Sequence, residues 1–346
     1  MYHRLVTGKS ALRVELSMMF ILVLVLLLAV SCGGQDSAKN EKAGMQSAGR
    51  VAETLLGVRN STQFMAVGAG SLWLANPDHG TITRVDLEKN EVIAQIKVSK
   101  DPQSAPGGAD PQSVAASGDQ IWFTDRLREA VSRIDPKTNR VVERIPVGIA
   151  AYDIAIDGDT LWLTDFEGRV VLRLDTNKKR VVSEIYGLDE PMGITLGAGS
   201  VWTVEHGRGV VARIDPKTNE VVEETVVGAR PENIAFGAGG VWTADGVGGD
   251  SVSPVDSKTH KEVAPTIKTS LPMYGVAVGG GSVWAAGSPP DCASIDEGAL
   301  VRIDPTTNKI VGRTHIRCAS GVETTDDAVW VVSSDVETLT RVEPTR

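Results

Sequence analysis

The chain has 346 residues, with 44 acidic residues against 35 basic ones, and its formal net charge at pH 7 is −9. An acidic protein of this kind is a poor candidate for binding nucleic acid or an anionic lipid surface. The sequence contains no G-x-S-x-G, H-E-x-x-H, C-x-x-C or P-loop motif. It therefore lacks the short signatures that most often indicate a hydrolase, a metalloprotease, a dithiol redox site or a nucleotide site.

Residues 1–31 are predicted to form a secretory signal peptide. Basic residues come first, and an apolar run from Met18 to Val30 follows that is too short for a comfortable membrane span. The sequence Ala29-Val30-Ser31-Cys32 resembles the lipobox of bacterial lipoproteins, which implies that Cys32 carries a lipid and begins the mature protein. An uncleaved N-terminal anchor is the alternative. Cleavage would remove three basic residues and one acidic residue, so the formal charge would become −11.

Residues 32–49 are predicted to be a disordered tether, because they are rich in Gly, Ser, Ala, Gln and charged side chains. Residues 50–346 then form one domain and leave no second fold to host a separate activity. The localisation that follows is extracytoplasmic, with the lipid on Cys32 holding the protein to a bacterial membrane.

A repeat of about forty residues fills this domain seven times. Each copy is centred on one tryptophan, and these are all the tryptophans of the chain: Trp73, Trp122, Trp162, Trp202, Trp242, Trp284 and Trp330. In most copies an R-x-D sequence follows the Trp. The fifth copy departs from this pattern, because Pro254 and Asp256 stand there.

The fourth copy illustrates the strands that the pattern predicts. They are expected over Met192–Leu196, Ser200–Glu205, Val210–Ile214 and Val221–Val227. A Gly-Ala-Gly-Ser sequence supplies the first hairpin turn, and Asp-Pro-Lys-Thr-Asn supplies the turn before the last strand. A four-stranded antiparallel unit repeated at this spacing is a propeller blade.

The last copy stops after its third strand, and the missing fourth strand is found near the N-terminus. Arg50–Leu56 resembles Arg140–Pro146, the fourth strand of the second copy. The predicted fold is therefore an all-β, seven-bladed β-propeller of four-stranded antiparallel blades, whose ring is closed by an N-terminal strand at about residues 50–57 joining the last blade. Closure of this kind removes exposed sheet edges.

The seven tryptophans are expected to fill the gaps between adjacent blades, where a large ring buries much apolar area. Their alternative role, as aromatic residues of a binding site, is disfavoured because all seven occupy one position of the repeat. The innermost strand carries small residues near the axis, and Glu323 is an exception where the other copies have Ala or Thr. A buried carboxylate there needs water, a cation or a hydrogen-bond donor.

We define the upper face as the one that carries the loops between second and third strands and the loops between blades. Two long irregular segments, Ser99–Pro111 and Ser288–Gly298, are predicted to lie there, and loops on a rigid scaffold commonly carry function. Cys292 and Cys318 also fall in loops of this face. We expect them to form a disulfide in an oxidising compartment, with two free thiols as the alternative.

Acidic residues end the second strand in four consecutive copies, and they are the candidate metal ligands: Asp125, Asp165, Glu205 and Asp245. Together they could form an acidic rim able to take Mg²⁺, Ca²⁺ or a cationic ligand. The alternative is that each carboxylate accepts hydrogen bonds within its own turn.

The upper ends of the innermost strands vary between copies while the surrounding frame does not, as expected of a site grafted onto a repeat scaffold. The candidate ligand-binding residues from these strands are Tyr152, Asp153, Glu232, Asn233, Tyr274 and Glu323. His206, next to Glu205, is the one His predicted near the upper face of the second to sixth copies.

The repeat P-x-x-I-A-x-G-x-G-x-V-W-x-x-D, followed by R-I-D-P-K-T-N-x-V-V, resembles the YncE-like and virginiamycin B lyase-like (streptogramin lyase) propeller superfamily over residues 50–346. For function, the resemblance implies a lyase that opens the cyclic depsipeptide of type B streptogramins by elimination, using a magnesium ion with His and Glu residues on the upper face. Here only Glu205 and His206 resemble such a pair, because no innermost strand offers a His.

Two functions follow from the sequence. The first is a surface-anchored binding or interaction module, which presents its upper face to a small molecule, a peptide or an envelope protein. The second is a metal-dependent lyase in which Glu205 or His206 is the catalytic base and the acidic rim holds the cation.

Overall fold

The computed structural model describes residues 46–58, 63–98, 109–263 and 265–345. The predicted signal peptide, Cys32 and most of the predicted tether lie outside the described residues. So do residues 99–108 of the long segment predicted on the upper face. In the described part of the chain, no helix is both long and apolar enough to span a bilayer.

The described strands form seven antiparallel sheets of four strands each, which are the blades of a propeller. Blades one to three consist of β2 Met65–Gly68, β3 Ser71–Asn76, β4 Thr81–Asp86 and β5 Glu91–Lys97; β6 Pro111–Ser117, β7 Gln120–Asp125, β8 Ala130–Asp135 and β9 Arg140–Pro146; and β10 Ile154–Asp157, β11 Thr160–Asp165, β12 Val170–Asp175 and β13 Arg180–Ile185. Blades four and five consist of β14 Pro191–Gly197, β15 Ser200–Glu205, β16 Val210–Asp215 and β17 Glu220–Val226; and β18 Pro231–Gly237, β19 Gly240–Asp245, β20 Ser251–Asp256 and β21 Ile267–Lys268. Blades six and seven consist of β22 Gly275–Gly279, β23 Ser282–Gly287, β24 Ala299–Asp304 and β25 Lys309–His315; and β26 Gly321–Thr324, β27 Val329–Ser333, β28 Thr338–Pro344 and the N-terminal β1 Gly49–Leu56.

Short helices occupy some upper loops. A four-residue α-helix, α1 Cys292–Ile295, lies between β23 and β24. Single 3₁₀ turns follow the second strand at Pro77–His79, Arg126–Arg128 and Ser334–Val336. These turns help to place the loops of the upper face.

The N-terminal strand closes the ring, which confirms the prediction. β1 pairs with β28 in antiparallel register, with Arg50 opposite Glu343 and Leu56 opposite Thr338. The order in this sheet is β1-β28-β27-β26, so the first strand of the chain is the outermost strand of the last blade.

The packed region begins a few residues earlier than Arg50, where the predicted domain starts. Ala48 is fully buried among the apolar residues of blades six and seven, and Arg313 N donates a hydrogen bond to Gln46 O at 3.0 Å. The boundary between tether and propeller therefore lies near residue 46, because the chain contacts β25 before it enters β1.

Each tryptophan is at most 3% exposed and lies between its own blade and the next. Trp162, for example, packs with Ile194, Val201 and Ile214 of blade four. This confirms the interface role and rules out a binding role for these side chains. The first glycine of the hairpin permits close packing, since a Cβ on Gly197 would lie 2.0 Å from the Phe236 ring of the next blade.

The R-x-D and turn residues of the repeat connect neighbouring blades. Arg173 stacks on Trp162 with its guanidinium carbon 5.2 Å from the ring centre. It also donates hydrogen bonds to Pro216 O at 2.7 Å and to Asn219 Oδ1 at 3.0 Å in the next blade. Arg84 makes the same contacts with Trp73 and with the second blade. The conserved spacing within the repeat thus serves the fold.

Blade five departs from the pattern in its outer strands. Pro254 has no amide hydrogen to donate, and β20 pairs with β21 through only two residue pairs. The fourth strand of this blade is correspondingly short. The Pro254 irregularity in the sequence therefore marks a break in the outer edge of the sheet.

Candidate functional site

A cavity of about 250 Å³ lies on the propeller axis. Every blade contributes residues to it from its innermost strand or from the residues just before that strand. Its polar side chains are those of Gln63, Ser113, Asp153, Thr195, Asn233 and Glu323. The described residues that line it include no Lys, Arg or His, so its side-chain charges are carboxylates.

Asp153 ties three blades together at this axis. Its Oδ1 accepts hydrogen bonds from Ser113 Oγ at 2.6 Å and from Ile154 N at 2.8 Å, and its Oδ2 accepts one from Ile194 N at 2.9 Å. Burial raises the pKa of Asp153 to about 6, although these three donors act in the opposite direction. The carboxylate is a structural bridge as well as part of the cavity wall.

Glu323 lies deeper in the cavity, two positions further along its strand than the level of Asp153. Its Oε1 accepts a hydrogen bond from Thr324 N at 2.8 Å, and burial raises its pKa to about 7. No nearby charge contributes to that shift. Thr195 occupies the same position of the repeat in blade four, and the other five blades have alanine there.

Tyr152 and Gln63 meet at the upper mouth of the cavity. Gln63 Nε2, from blade one, donates a hydrogen bond to the Tyr152 hydroxyl of blade three at 3.4 Å. The Phe64 ring packs edge-on against the Tyr152 ring with 5.5 Å between centroids. Because Tyr152 directly precedes Asp153, these contacts lie just above the axial carboxylate.

Two depressions of the upper face adjoin this mouth. Tyr152 lines one of about 240 Å³, together with Arg126, Phe166 and Met192. Tyr274 lines the other, of about 300 Å³, together with Gln63 and the loop that carries Pro289. Burial, followed by the charge of Glu232, raises the pKa of the Tyr152 and Tyr274 hydroxyls, so both phenols stay neutral near pH 7.

The other two predicted ligand residues have separate places. Asn233 lines the cavity and its Oδ1 accepts a hydrogen bond from Val276 N at 3.2 Å, which joins blades five and six. Glu232 instead turns toward the upper loop of its own blade, where its Oε1 accepts a hydrogen bond from Val247 N at 3.2 Å. Asp153, Asn233 and Glu323 therefore share one cavity, whereas Tyr152, Tyr274 and Glu232 surround its mouth.

The four carboxylates at the ends of the second strands do not form a rim. Each is buried and binds groups of the nearby upper loops. Asp125 pairs with Arg128 at 2.8 Å, Asp165 accepts from Gly168 N at 3.0 Å and Asp245 accepts from Ser251 Oγ, all within the loop that follows the strand. Glu205 accepts from Asp189 N at 2.8 Å, in the connection between blades three and four. A Cβ on Gly228 would lie 1.9 Å from the Asp245 carboxylate. These residues are turn carboxylates, as the alternative interpretation held.

Within the described residues, a single group of three candidate metal ligands holds its ligand atoms within 4.8 Å of one another: Cys292, Cys318 and Asp335. The two cysteines of this group are bonded to each other as a disulfide, so they offer no thiolates. The disulfide joins α1 to the loop between blades six and seven, as the sequence predicted. The predicted metal ligands therefore do not come together.

Glu205 and His206 do not form a catalytic pair. Glu205 accepts a hydrogen bond from Arg208 Nη1 at 3.2 Å in addition to that from Asp189 N. His206 Nε2 accepts from Arg230 Nε at 3.0 Å, and burial followed by the Arg230 charge lowers the His206 pKa. Adjacent residues of an extended chain point to opposite sides, which explains their separate partners. The imidazole lone pair is already in use, so His206 is poorly placed to act as a base.

Sequence reasoning alone did not select Gln63, Ser113 or Thr195 as site residues. Gln63 and Ser113 belong to the variable upper ends of the innermost strands, and Thr195 shares the position of Glu323. The signal that could have identified them was therefore present. For Ser113 and Thr195 it was the departure from the counterparts in the other six repeats; for Gln63 it was only the variability of its position, because the second copy also has Gln there.

Solved structures with a similar fold include a virginiamycin B lyase from Staphylococcus aureus, which is 15% identical, covers 85% of this chain and 99% of its own, and superimposes with a TM-score of 0.66. A streptogramin B lyase is 17% identical over 85% of this chain and 98% of its own, with a TM-score of 0.67. A chain of a Mitotic Checkpoint Complex is 10% identical over 87% of this chain and 96% of its own, with a TM-score of 0.71. The sequence matches no protein-family model and no curated protein. The chain is thus a seven-bladed β-propeller, and its similarity to these structures shows the fold alone.

Proposed function

We propose that this protein is an extracytoplasmic, lipid-anchored binding module whose ligand enters the upper mouth of the axial cavity. The observation that carries the proposal is the cavity itself. Its polar lining comes from positions that vary between repeats, whereas the repeated residues are used in blade packing and turns. Concave sites with a few converging polar groups are the usual places for ligand binding.

The arrangement of the acidic residues supports binding rather than elimination chemistry. A metal-assisted lyase would need a cation beside an available base. The four second-strand carboxylates hold separate loops, and the imidazole of His206 accepts hydrogen bonds from Arg230. A binding module requires neither arrangement, so we do not propose a lyase activity.

The proposal can be tested with the mature protein and a panel of envelope-type compounds, comprising amines, amino acids, short peptides and sugars. Binding is measured as an increase in the melting temperature. We expect at least one class to stabilise the wild type and to lose its effect in Tyr152→Ala and Tyr274→Ala. Lys137→Ala is the control, because Lys137 is exposed on the opposite, lower turn of blade two.

Two outcomes would contradict the proposal. One is a panel in which no compound changes the melting temperature of the wild type. The other is a compound that stabilises the two Tyr variants and the wild type equally, since such a compound would bind away from the upper mouth.

The anchoring part of the proposal rests on the lipobox resemblance at Cys32. We expect full-length protein expressed in bacteria to incorporate an alkyne-labelled fatty acid and to sediment with membranes. Cys32→Ser should abolish labelling. Equal labelling of the variant would show that the lipid, if any, is carried elsewhere.

A further inference from the structure

Glu323 introduces a carboxylate into an otherwise small and uncharged layer of the axial cavity. Five of the seven blades have alanine at this position, and Thr195 provides the one hydroxyl. Both side chains line the cavity. They come from blades seven and four, so they approach the axis from opposite parts of the ring.

No protein cation balances Glu323 in the described part of the chain. The strands packed around it, β2, β22, β23 and β27, carry no charged or titratable side chain. Among the described residues that line the cavity, Asp153 is the only other titratable one, and its oxygens already accept three hydrogen bonds from the protein. Glu323 therefore remains the carboxylate with capacity for a ligand.

The donor set suits an ammonium group better than a divalent metal. Ca²⁺ takes six to eight oxygen ligands and Mg²⁺ requires a near-octahedral set, whereas the described residues bring no three His, Cys, Asp or Glu side chains together here. A primary ammonium has three hydrogens to donate. The Glu323 carboxylate and the Thr195 hydroxyl can accept two of them, and a backbone carbonyl or water can accept the third.

The dimensions of the cavity limit what can carry the ammonium. A volume near 250 Å³ is many times what one water molecule needs, so the cavity can hold a chain of several non-hydrogen atoms. The aromatic rings of Phe64 and Tyr152 stand at the mouth, where they can contact an alkyl chain. A linear chain of about five carbons fits this space.

We propose that the axial cavity binds a primary ammonium group on a short alkyl chain, with the ammonium donating hydrogen bonds to Glu323 and Thr195. This inference rests on the proposed binding function and specifies its ligand class. The ammonium belongs either to a free alkylamine or to a lysine side chain of a peptide, because both present the same chemistry to the cavity.

Binding of this kind is linked to pH. Because the pKa of Glu323 is about 7 in the empty cavity, only a minority of the protein holds an ionised Glu323 at pH 6, and most does at pH 8. A ligand that requires the carboxylate should bind about tenfold more tightly at pH 8 than at pH 6. Asp153 is the other group that titrates at the cavity, and with a pKa of about 6 it is roughly half ionised at pH 6 and ionised at pH 8, so it contributes at most about a twofold change over this range.

The experiment is isothermal titration calorimetry of the mature protein at pH 6 and pH 8 with 1,5-diaminopentane and with Nα-acetyl-lysine amide. 1-Pentanol is the neutral control ligand. We expect at least one amine to bind with the tenfold pH dependence, and the comparison of the two amines distinguishes free amine from lysine side chain. Glu323→Gln should bind at least tenfold more weakly at pH 8 and keep at most about a twofold pH dependence, from Asp153, and Thr195→Val should weaken binding severalfold. Glu88→Gln, an exposed change on a lower turn, should behave as wild type.

Several results would overturn the inference. They are the absence of heat with both amines, equal binding by Glu323→Gln, affinity independent of pH, or equal binding of 1-pentanol. Melting curves of each variant show whether it is folded. If the amines fail while another compound of the panel requires Tyr152 and Tyr274, the ammonium inference is wrong and the proposed function stands. If no compound binds at all, both are wrong.

Discussion

Carboxylates in this propeller have different roles according to the hydrogen-bond donors around them. Asp153 receives three donors and joins three blades, whereas Glu323 receives one, from the adjacent amide. Asp86, at a lower turn, accepts hydrogen bonds from the amides of Lys89 and Glu88. Both lower the pKa of Asp86, and the Lys89 amide lowers it more. A carboxylate with few donors is one that the fold tolerates at a cost.

Glu323→Gln should therefore stabilise the protein at alkaline pH. The folded-state pKa is raised from 4.5 to about 7, so the folded state binds the proton more tightly than the unfolded state. The wild type keeps its full stability below about pH 4.5 and loses some as the pH rises through 7. We expect the variant to be more stable than wild type by ~1–3 kcal/mol at pH 8 and by little at pH 4.5. Urea denaturation at the two pH values measures the difference.

Glu88→Gln serves as the control for this measurement, because Glu88 is exposed and lies outside the cavity. If Glu323→Gln were destabilised at pH 8 by as much as at pH 4.5, ionised Glu323 would not destabilise the folded wild type and the prediction would be wrong. Such a result would mean that the carboxylate is well stabilised in the ionised form.

The sequence allowed the unusual residues to be found but not their partners. Glu323 stood out against alanine in the other repeats, and it does lie on the axis. One repeat position is also shared by Asp125, Asp165, Glu205 and Asp245. A shared position does not reveal whether a carboxylate points to the axis or into an upper loop. The direction depends on loop amides such as Asp189 N, which lies in the connection between blades three and four and donates to Glu205.

Among the elements, the third strand and the following turn carry the contacts between blades. Arg173 lies opposite Trp162 on the adjacent strand, stacks on its ring and reaches the turn of blade four. Its aliphatic stem and guanidinium are both used, so lysine cannot replace it fully. The same set of contacts recurs from Arg84.

Arg173→Ala should destabilise the propeller by about 1–3 kcal/mol, because two hydrogen bonds and one cation–π contact are lost. Arg173→Lys should recover only part of this. Arg180→Ala is the matched control, since Arg180 is exposed on the outer strand of the same blade. Chemical denaturation of the three variants gives the values, and an equal loss in the Arg180 variant would contradict the inter-blade role.

The strands were predictable because each blade repeats its turns and its apolar positions. In blade four the second strand has the predicted limits, and the other three differ by one residue at one end or both. The fourth strand of blade five was harder, because Pro254 interrupts pairing along β20 and the two-residue β21 has no strong periodic signal. The repeat thus predicts the frame well and its local exceptions poorly.

At the scale of the whole molecule, the ring depends on one strand from the opposite end of the chain. β1 covers the edge of β28 through seven paired positions. Without it, β28 would expose its amides and carbonyls as an open edge, which favours association between molecules.

Removal of residues 1–57 should therefore destabilise the propeller by at least about 3 kcal/mol, since several backbone hydrogen bonds and the burial of Ala48 are lost. Removal of residues 1–45 should leave the melting temperature unchanged. Calorimetry and size-exclusion chromatography compare the two truncations. A stable monomer lacking residues 1–57 would show that the ring does not need β1.

The same closure also sets the order of events during biosynthesis. Arg50 and Glu343, which pair across the last blade, are 293 residues apart in the chain, a distance that takes roughly 15–60 s to synthesise at 5–20 residues per second. β1 can pair with β28 only after the ribosome has synthesised β28. If the protein is exported, as we propose, the ring can close only after the C-terminal end has crossed the membrane, so the closed propeller would form on the far side of that membrane.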